Sequence, residues 1–212
     1  MVQIYCVVGQ KGGLGKSMVA RELFFCLRHS KYKTLLIDCD VKQNSNYNFA
    51  KKFEAKNKEL LDVKALAAKD LRKSLRGLTR QYDSIVIDCG GRISDELKMA
   101  ICCADKVIMP IDPMENDEIS NVEAVISEIS DLDCEFFILP NKVSTHPFNN
   151  DLQEFKEKYD GKLKYFRILN SYLHERRIYK KARAEGFSIY ENKNLNAIEE
   201  FNNFIIELFE ND

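Results

Sequence analysis

The stretch that decides the fold is Gly9-Gln10-Lys11-Gly12-Gly13-Leu14-Gly15-Lys16-Ser17. It lies between a short apolar run, Gln3–Val8, and a segment, Ser17–Ser30, in which apolar residues recur at helical spacing. A glycine-rich loop between a strand and a helix can turn backbone N–H groups inward, and the helix N-terminus adds partial positive charge. The stretch therefore predicts a phosphate-binding loop (P-loop).

The polar residues of this loop each have a chemical role in such a site. Lys16 is placed to reach the β- and γ-phosphates of a nucleotide, and the Ser17 hydroxyl is placed to hold Mg2+. The strict pattern G-x-x-x-x-G-K-[ST] is missed at one position, because Gln10 stands where its first glycine should be. A glycine-rich turn that only caps a helix is the structural alternative. The fixed offsets of the glycines, the lysine and the serine favour the phosphate site.

Two acidic clusters follow apolar runs further along the chain. Asp38 and Asp40 come after Thr34–Ile37, and Asp88 comes after Ser84–Ile87. The carboxyl ends of parallel strands meet at one edge of a sheet, so these carboxylates are expected beside the P-loop. One carboxylate there can hold Mg2+ through water, and a second can orient or deprotonate the attacking water. Aspartates also simply end strands, but the neighbouring P-loop favours the functional interpretation.

The rest of the chain alternates between apolar strand-like runs and helical stretches. Leucines between Lys58 and Gln81 recur at near-helical spacing and predict one or two helices, whereas Lys42–Asn48 is polar and predicts a loop. The further strand candidates are Lys106–Ile111, Glu135–Leu139 and Leu163–Leu169, and the further helix candidates lie near residues 94–103, 117–130 and 150–159. About six strands result. The pattern predicts an α/β fold in which a mostly parallel, twisted sheet is flanked by helices on both faces, with residues 1–212 forming one domain.

Composition excludes several classes of protein. The chain has 212 residues, of which 32 are basic and 33 acidic, and 45% are hydrophobic, which is typical of a globular domain and not of a disordered chain. No apolar run is long enough to cross a bilayer, so a soluble intracellular protein is expected. The seven cysteines are scattered without a C-x-x-C pair. That pattern favours reduced, mostly buried thiols over a disulfide framework or a zinc site.

These segments together carry a family resemblance. Lys11–Ser17 resembles the deviant Walker A box of the ParA/MinD ATPases, in which an extra lysine, here Lys11, precedes the paired glycines. Leu36–Asp40 resembles the family's A′ box. Tyr82–Arg92 resembles its Walker B and switch II segment, in the Gly-Gly-Arg form of plasmid-type ParA proteins. Two further segments, 104–110 and 177–191, are also similar, so the resemblance spans residues 1 to about 192.

The resemblance implies a P-loop ATPase that needs Mg2+, hydrolyses ATP to ADP and phosphate, and forms a sandwich homodimer when ATP is bound. It implies that Lys11 of one subunit reaches the phosphates held by the other and neutralises developing charge, as an arginine finger does. By the same carry-over Asp40 positions the attacking water, Asp88 and Ser17 hold the Mg2+ shell, and Asp38 supports the site. The implied catalytic residues are Lys11, Lys16, Asp40 and Asp38, and the implied nucleotide-binding residues are Gly12, Gly13, Leu14, Gly15, Lys16, Ser17, Met18 and Asn141.

The roles of two residues, Asn141 and Asp40, depend on the segments in which they lie. Asn141, which follows the run Phe136–Leu139, matches the position at which related ATPases read the adenine, and a turn asparagine is the alternative. The A′ box usually continues Asp-Pro-Gln, whereas Asp40 is followed here by Val41-Lys42-Gln43. The role of Asp40 therefore depends on a switch loop that departs from the family pattern.

The charged segments near the C-terminus predict what such a switch acts on. MinD-type members bind membrane through a basic amphipathic C-terminal helix, but residues 194–212 contain no Lys or Arg, so this helix is expected to pack on the domain. Five cations closely spaced before it predict a DNA-binding surface, with a solvated basic face as the alternative. They are Arg176, Arg177, Lys180, Lys181 and Arg183. A second basic stretch, Lys64–Arg80, is interpreted as a solvated face.

The favoured interpretation is a ParA-type ATPase of plasmid or chromosome partition. It would use non-specific DNA as a track, and a ParB-like centromere-binding protein would stimulate its ATP hydrolysis. The resemblance implies a cytoplasmic, nucleoid-associated homodimer with no membrane partner. A MinD-like or cargo-positioning ATPase that acts on membrane or on a protein assembly is the alternative. A metabolic P-loop enzyme is a third alternative. It would need metal-ligand cysteines at the dimer face or a substrate pocket, and the sequence shows no convincing sign of either.

Overall fold

The computed structural model describes residues 2–90, 95–129, 133–146, 148–192 and 194–210. Within these ranges seven strands form one sheet. The strands are β1 (Gln3–Val7), β2 (Thr34–Asp38), β3 (Val63–Ala65), β4 (Ser84–Asp88), β5 (Lys106–Ile111), β6 (Glu135–Pro140) and β7 (Phe166–Ile168). Their order is β3-β2-β4-β1-β5-β6-β7, and every neighbouring pair is parallel. The predicted α/β fold with a parallel sheet is confirmed.

The helices of the described ranges cover both faces of this sheet. They are α1 (Lys16–His29), α2 (Ser45–Asn57), α3 (Leu71–Leu78), α4 (Asp95–Ile101), α5 (Glu118–Ser127), α6 (Asp151–Tyr159), α7 (Arg177–Glu185), α8 (Ile189–Asn192) and α9 (Leu195–Phe209). Successive strand residues point to opposite faces, so Cys6 packs with α3 to α6 while Val7 packs with α1, α2 and α7 to α9. Because both faces are covered, all five positions of β2 and of β4 are buried.

The strand register brings the acidic clusters to the P-loop. Asp88 at the end of β4 is paired with Val7 of β1 on one side and with Asp38 of β2 on the other. The P-loop starts at Gly9, which follows Val8 just after the end of β1, and both aspartates therefore lie at the edge of the sheet from which it emerges. The expected position of a ligand site at the carboxyl ends of parallel strands follows directly.

Two elements differ from the sequence expectation. The segment between Lys58 and Gln81, predicted to form one or two helices, contains the edge strand β3 and a 3-10 turn, Ala68–Asp70, before α3 begins. Lys58 ends α2 with a left-handed φ of 55°, and the chain then extends along β2 for three residues. The predicted loop Lys42–Asn48 is wrong in its second half, because α2 already begins at Ser45. A polar sequence starts this helix because a distant carboxylate caps it, as described below.

Other predicted elements are confirmed with shorter bounds. The candidate strand Leu163–Leu169 narrows to β7, and the helices near residues 117–130 and 150–159 correspond to α5 and α6. The C-terminal helix packs on the domain as predicted, since Phe201, Phe204 and Leu208 of α9 are fully buried. No helix in the part of the chain that the structure describes is long and apolar enough to span a membrane. Gly91 and Arg92 of the Gly-Gly-Arg segment lie outside the described residues.

A contrast between two glycines tests the packing of α7 on α2. Gly186 ends α7 with φ 69°, and an added Cβ would lie 3.0 Å from the Lys52 carbonyl carbon and 3.1 Å from the Phe53 nitrogen, both backbone atoms of α2. Gly186→Ala should therefore lower the free energy of unfolding by more than about 1 kcal/mol, because the left-handed backbone alone costs a non-glycine residue about that much. Urea unfolding followed by circular dichroism measures the change.

Gly77→Ala is the matched control. Gly77 lies inside α3, and an added Cβ meets no atom within 4 Å. Alanine should raise the free energy of unfolding by up to about 1 kcal/mol, because glycine is the weaker helix former. Equal effects of the two substitutions would contradict the close approach of α7 to α2.

Candidate nucleotide site

A cavity of about 1040 Å³ opens at the carboxyl edge of the sheet. It is large enough for a bound small molecule, since such pockets typically measure about 300–1,000 Å³. The cavity brings together four segments that are far apart in the sequence. Its lining includes Gly12, Gly13 and Gly15–Met18 of the P-loop, Asp40–Gln43 of the switch loop, Asn141 after β6, and Arg176, Lys180 and Arg183.

The P-loop backbone requires glycine at two positions. Gly13 and Gly15 have φ of 88° and 92°, a left-handed conformation that strains other residues. At Gly15 an added Cβ would also lie 2.3 Å from the side-chain nitrogen of Asn141. That nitrogen donates a hydrogen bond to the Leu14 carbonyl at 2.6 Å, and Asn141 is only 2% exposed. Asn141 thus braces the P-loop from β6, and its contact with adenine stays a prediction.

Lys16 lies at the start of α1 with its side chain under the loop. It is 8% exposed, and its Nζ donates to the Lys11 carbonyl at 2.8 Å. Burial lowers the pKa of Lys16, and the nearby carboxylates of Asp88 and Glu118 oppose that shift. A partly desolvated ammonium group binds an anion more strongly than an exposed one. Leu14 is buried, and it does not line the cavity.

Lys11 and the start of the P-loop are held by the segment that leads into α5. The Lys11 Nζ lies 3.0 Å from Glu115 Oε2, and this hydrogen bond raises the pKa of Lys11. Glu118 Oε2 accepts backbone N–H groups from Gln10 at 2.5 Å and from Lys11 at 2.9 Å. Neither glutamate is among the residues predicted from the sequence. They are more than one hundred residues from the loop, and no local pattern marks them.

Asp38 acts as a cap and does not face the cavity. Its Oδ2 accepts the N–H groups of Asn46 at 2.8 Å and Tyr47 at 3.0 Å at the start of α2, and its Oδ1 accepts the Asp40 N–H at 3.1 Å. Burial raises the pKa of Asp38, and these three hydrogen bonds oppose the shift. The carboxylate therefore fixes the switch loop and the start of α2, a supporting position.

Asp88 is the most perturbed carboxylate of the site. It is 1% exposed, hydrogen-bonds the Ser17 side chain, and accepts the Asn46 side-chain N–H at 2.8 Å. Burial raises the pKa of Asp88 to about 7, although Ser17 and Lys16 lower it. The two residues assigned to Mg2+ from the sequence, Ser17 and Asp88, are therefore in direct contact. Asn46 was missed, because it lies in the segment predicted as a loop.

Asp40 lies at the rim of the cavity in a tight turn. Its backbone carbonyl accepts the N–H groups of Gln43 at 3.1 Å and Asn44 at 2.7 Å, and its Oδ1 accepts the same Gln43 N–H. Asn44 adopts a left-handed φ of 48° that leads the chain into α2. An added Cβ at Gly90 would lie 3.5 Å from Asp40 Cβ, so the switch loop packs closely on the residues after β4. The Val41-Lys42 sequence is thus compatible with an Asp40 that faces the cavity.

Of the five cations predicted to form a DNA-binding surface, two are paired with carboxylates. The Arg176 guanidinium is paired with Glu200 of α9, its Nε lying 3.1 Å and 3.0 Å from the two carboxylate oxygens. Lys180 is exposed and lies 2.9 Å from Glu175. Arg177, Lys181 and Arg183 are exposed, and none is paired with a carboxylate within the described ranges. The sequence could not show that Arg176 is engaged, because its partner lies on another helix.

Solved structures share this fold over nearly the whole chain. A Borrelia burgdorferi B31 protein described as a plasmid partition protein, solved with AMPPNP, matches with a TM-score of 0.77 and 20% identity, and 100% of each chain is covered. Apo McdA from Cyanothece matches with a TM-score of 0.76 and 18% identity over 98% of this chain and 100% of that chain. MinD from Pyrococcus horikoshii OT3, complexed with Mg-ADP, gives 0.72 and 18% over 99% and 96%.

Sequence comparison gives the family. The chromosome partitioning protein ParA of Myxococcus xanthus (strain DK1622) is 29% identical in an alignment of 146 residues, and the match covers 51% of this chain and 52% of that protein. The chain thus matches about half the length of this curated relative. The family model described as the CobQ/CobB/MinD/ParA nucleotide binding domain matches residues 5–189, a range that includes the P-loop, both aspartate segments and α7. The chain therefore belongs to the CobQ/CobB/MinD/ParA nucleotide-binding domain family.

Proposed function

We propose that this chain is a ParA-type ATPase of DNA partition, a homodimer with ATP that uses non-specific DNA as a track and a ParB-like partner as stimulator. The observation that carries the proposal is the single cavity lined by the P-loop, the switch aspartate Asp40 and the start of a basic helix. The partition proteins among its relatives support the same assignment. The whole chain, residues 1–212, would act as one nucleotide-driven domain.

The P-loop fits the phosphates of ATP. At Gly12 and Gly13 an added Cβ meets no atom of the described residues within 4 Å, which leaves the space beside these glycines open to a ligand. Lys16 Nζ, which binds the Lys11 carbonyl, can exchange that neutral acceptor for a charged phosphate oxygen. The backbone N–H groups at the start of α1 favour an anion. Met18 and Asn141 line the same cavity, where the rest of the nucleotide would lie.

The polar groups beneath the P-loop fit Mg2+. Ser17 and Asp88 are in contact, and the buried Asn46 Oδ1 has no hydrogen-bond partner in the described part of the chain. Oxygen ligands of this kind suit a hard divalent cation. Bound Mg2+ supplies positive charge that offsets the negative charge of the phosphates. Ser17 and Asp88 would hold it, and Asn46 would keep Asp88 oriented through its side-chain N–H.

Two further residues would complete the hydrolytic site. Asp40, at the rim of the cavity, would orient the attacking water through its carboxylate. Lys11 would leave Glu115 and reach the phosphates of the partner subunit, which couples hydrolysis to dimerisation. In this arrangement neither subunit is complete alone.

DNA contact would be made by the exposed cations of α7. Arg177, Lys181 and Arg183 are exposed and pair with no carboxylate among the described residues, so they are available to bind phosphates, and Lys180 can add to them by leaving Glu175. Arg176 would instead anchor the start of α7 on α9 through Glu200. The apolar face of α9 is buried, which disfavours a membrane contact through that helix.

The two lysines of the P-loop should separate ATP binding from ATP hydrolysis. Lys16→Ala should weaken ATP binding about tenfold to a hundredfold, because a charged hydrogen bond is lost. Lys11→Ala should leave binding within about threefold and lower hydrolysis about a thousandfold, as expected for a cation supplied by the partner. Titration with a fluorescent ATP analogue and phosphate release measure the two effects. Lys33→Ala, which changes an exposed lysine just before β2 at the amino edge of the sheet, is the control, and Lys16→Ala with wild-type affinity would contradict the site.

Asp88 should make the nucleotide-free protein less stable at higher pH. Its folded-state pKa of about 7 lies above the reference value of 3.8, so folding favours the protonated form. The stability linked to this group is full below pH 3.8 and is lost as the pH rises to about 7. Asp88→Asn should therefore be more stable than wild type at about pH 8 without Mg2+, and the difference should shrink as the pH falls towards 4. Urea unfolding at several pH values tests this, with exposed Asp160→Asn as control; a pH-independent difference would refute it.

DNA binding should require ATP and the free cations of α7. A random DNA duplex should shift in a gel only with ATP and Mg2+, and the Arg177→Ala/Lys181→Ala/Arg183→Ala variant should lose most of that binding. Each lost phosphate contact should lower the salt slope by about 0.9. Arg176 is left intact because its pairing with Glu200 is structural.

The matched control for this experiment removes the same charge elsewhere. Lys33, just before β2, and Lys162 and Lys164, just before β7, are exposed at the amino edge of the sheet, and their triple alanine variant should bind DNA as wild type does. An ATP-induced dimer that binds no DNA in any state would refute the DNA track. The search would then move to lipid vesicles and protein assemblies, as the MinD-like alternative requires.

A further inference from the structure

Lys11 is held at all three of its polar groups. Its backbone N–H donates to Glu118 Oε2 at 2.9 Å, and its carbonyl accepts Lys16 Nζ at 2.8 Å. Its side-chain Nζ lies 3.0 Å from Glu115 Oε2. Two of these partners, Glu115 and Glu118, come from the same short segment at the start of α5. The orientation of Lys11 is therefore set largely from one place outside the P-loop.

Glu118 differs from Glu115 in its surroundings. The Glu115 side chain is 48% exposed, whereas Glu118 is 6% exposed as a residue, and its buried Oε1 has no hydrogen-bond partner among the residues that the structure describes. A buried carboxylate is costly unless hydrogen bonds compensate it. Here the compensation comes from the N–H groups of Gln10 and Lys11, both on its Oε2. The carboxylate and the front of the P-loop thus stabilise one another.

ATP binding and formation of the dimer would change two of the three contacts of Lys11. Lys16 would turn from the Lys11 carbonyl to a phosphate, and the Lys11 side chain would leave exposed Glu115 for the partner subunit. The contact with Glu118 uses only the backbone N–H and does not have to break. The Glu118 carboxylate is also closely packed against the P-loop backbone, since an added Cβ at Gly9 would be 3.8 Å from both Glu118 oxygens and 3.3 Å from the Lys16 side chain.

We infer that Glu118 is a positioning residue, which holds the backbone of Gln10 and Lys11 in place while the rest of the P-loop changes its contacts. Glu115 binds the Lys11 side chain until the dimer forms. The inference rests on the proposed function for the role of Lys11. It predicts opposite effects for two neighbouring glutamates. Loss of Glu118 should impair hydrolysis, and loss of the Glu115 charge should release Lys11.

The chain offers a matched control on the same helix. Glu123 of α5 also uses one carboxylate oxygen to accept two successive backbone N–H groups, from Lys164 at 2.8 Å and Tyr165 at 3.2 Å. Glu123→Ala removes the same kind of contact far from the P-loop in sequence. If Glu118 only stabilised the fold, Glu118→Ala and Glu123→Ala would have the same effects.

The first measurement needs no nucleotide. Amide hydrogen exchange of the full chain should be at least about tenfold faster at Gln10 and Lys11 in Glu118→Ala than in wild type, because the acceptor of both N–H groups is lost. Glu118→Gln, which keeps an acceptor oxygen, should restore much of the protection. Glu123→Ala should leave these two amides unchanged. Unaltered exchange in Glu118→Ala would overturn the inference.

The second measurement separates kcat from ATP affinity. Glu118→Ala should lower kcat about tenfold or more while the Kd for an ATP analogue changes less than about threefold, since Lys16 and the start of α1 still hold the phosphates. Glu118→Gln should recover part of the lost kcat. Glu115→Gln should keep the Kd and raise the basal rate, whereas Glu123→Ala should keep both values. A kcat loss shared by Glu118→Ala and Glu123→Ala, or a rate loss in Glu115→Gln, would overturn the inference.

A failure of the proposed function and a failure of the positioning role of Glu118 give different results. Wild type that neither binds nor hydrolyses ATP refutes the proposed function, and the exchange experiment still judges whether Glu118 fixes the loop. Wild type that hydrolyses ATP while Glu118→Ala keeps a wild-type kcat refutes the positioning role alone.

Discussion

The burial of two carboxylates on neighbouring strands is the constraint on which the site depends. Asp38 and Asp88 are paired across β2 and β4, and both are almost fully buried. Buried negative charge needs compensating donors, and the chain supplies them from different elements. Asp38 takes N–H groups from the start of α2, and Asp88 takes hydrogen bonds from Ser17 of α1 and Asn46 of α2. The two helices are therefore fixed to the sheet at the point where the nucleotide would bind.

The geometry of the P-loop likewise depends partly on its own residues and partly on residues far away in the sequence. Its own glycines give the backbone its left-handed turns, and these were readable from the sequence. Its bracing comes from elsewhere: Asn141 after β6 holds the Leu14 carbonyl, and Glu118 of α5 holds the N–H groups of Gln10 and Lys11. The loop is thus a local motif whose geometry is set by residues more than one hundred positions away.

This division also explains how far the sequence could predict the structure. The parallel sheet, the P-loop and the three aspartates follow from local patterns, since apolar runs and glycine spacing act over a few residues. The start of α2 does not, because its donors are satisfied by Asp38 across a turn and not by a local cap. The edge strand β3 is only three residues long and lies among leucines that favour helix. Glu118, Asn46 and the pairing of Arg176 with Glu200 depend on tertiary contacts alone.

The packing of α7 gives the proposed switch a physical route from nucleotide to DNA. Helix α2 begins at the carboxylates of the site, and near its other end its backbone at Lys52 and Phe53 lies close against Gly186, which ends α7. The other end of α7 is anchored on α9 by the Arg176–Glu200 pair. A continuous set of packed contacts such as this one can carry coupling between distant sites. A shift of α2 on nucleotide binding would therefore move α7 against α9 and change where Arg177, Lys181 and Arg183 point.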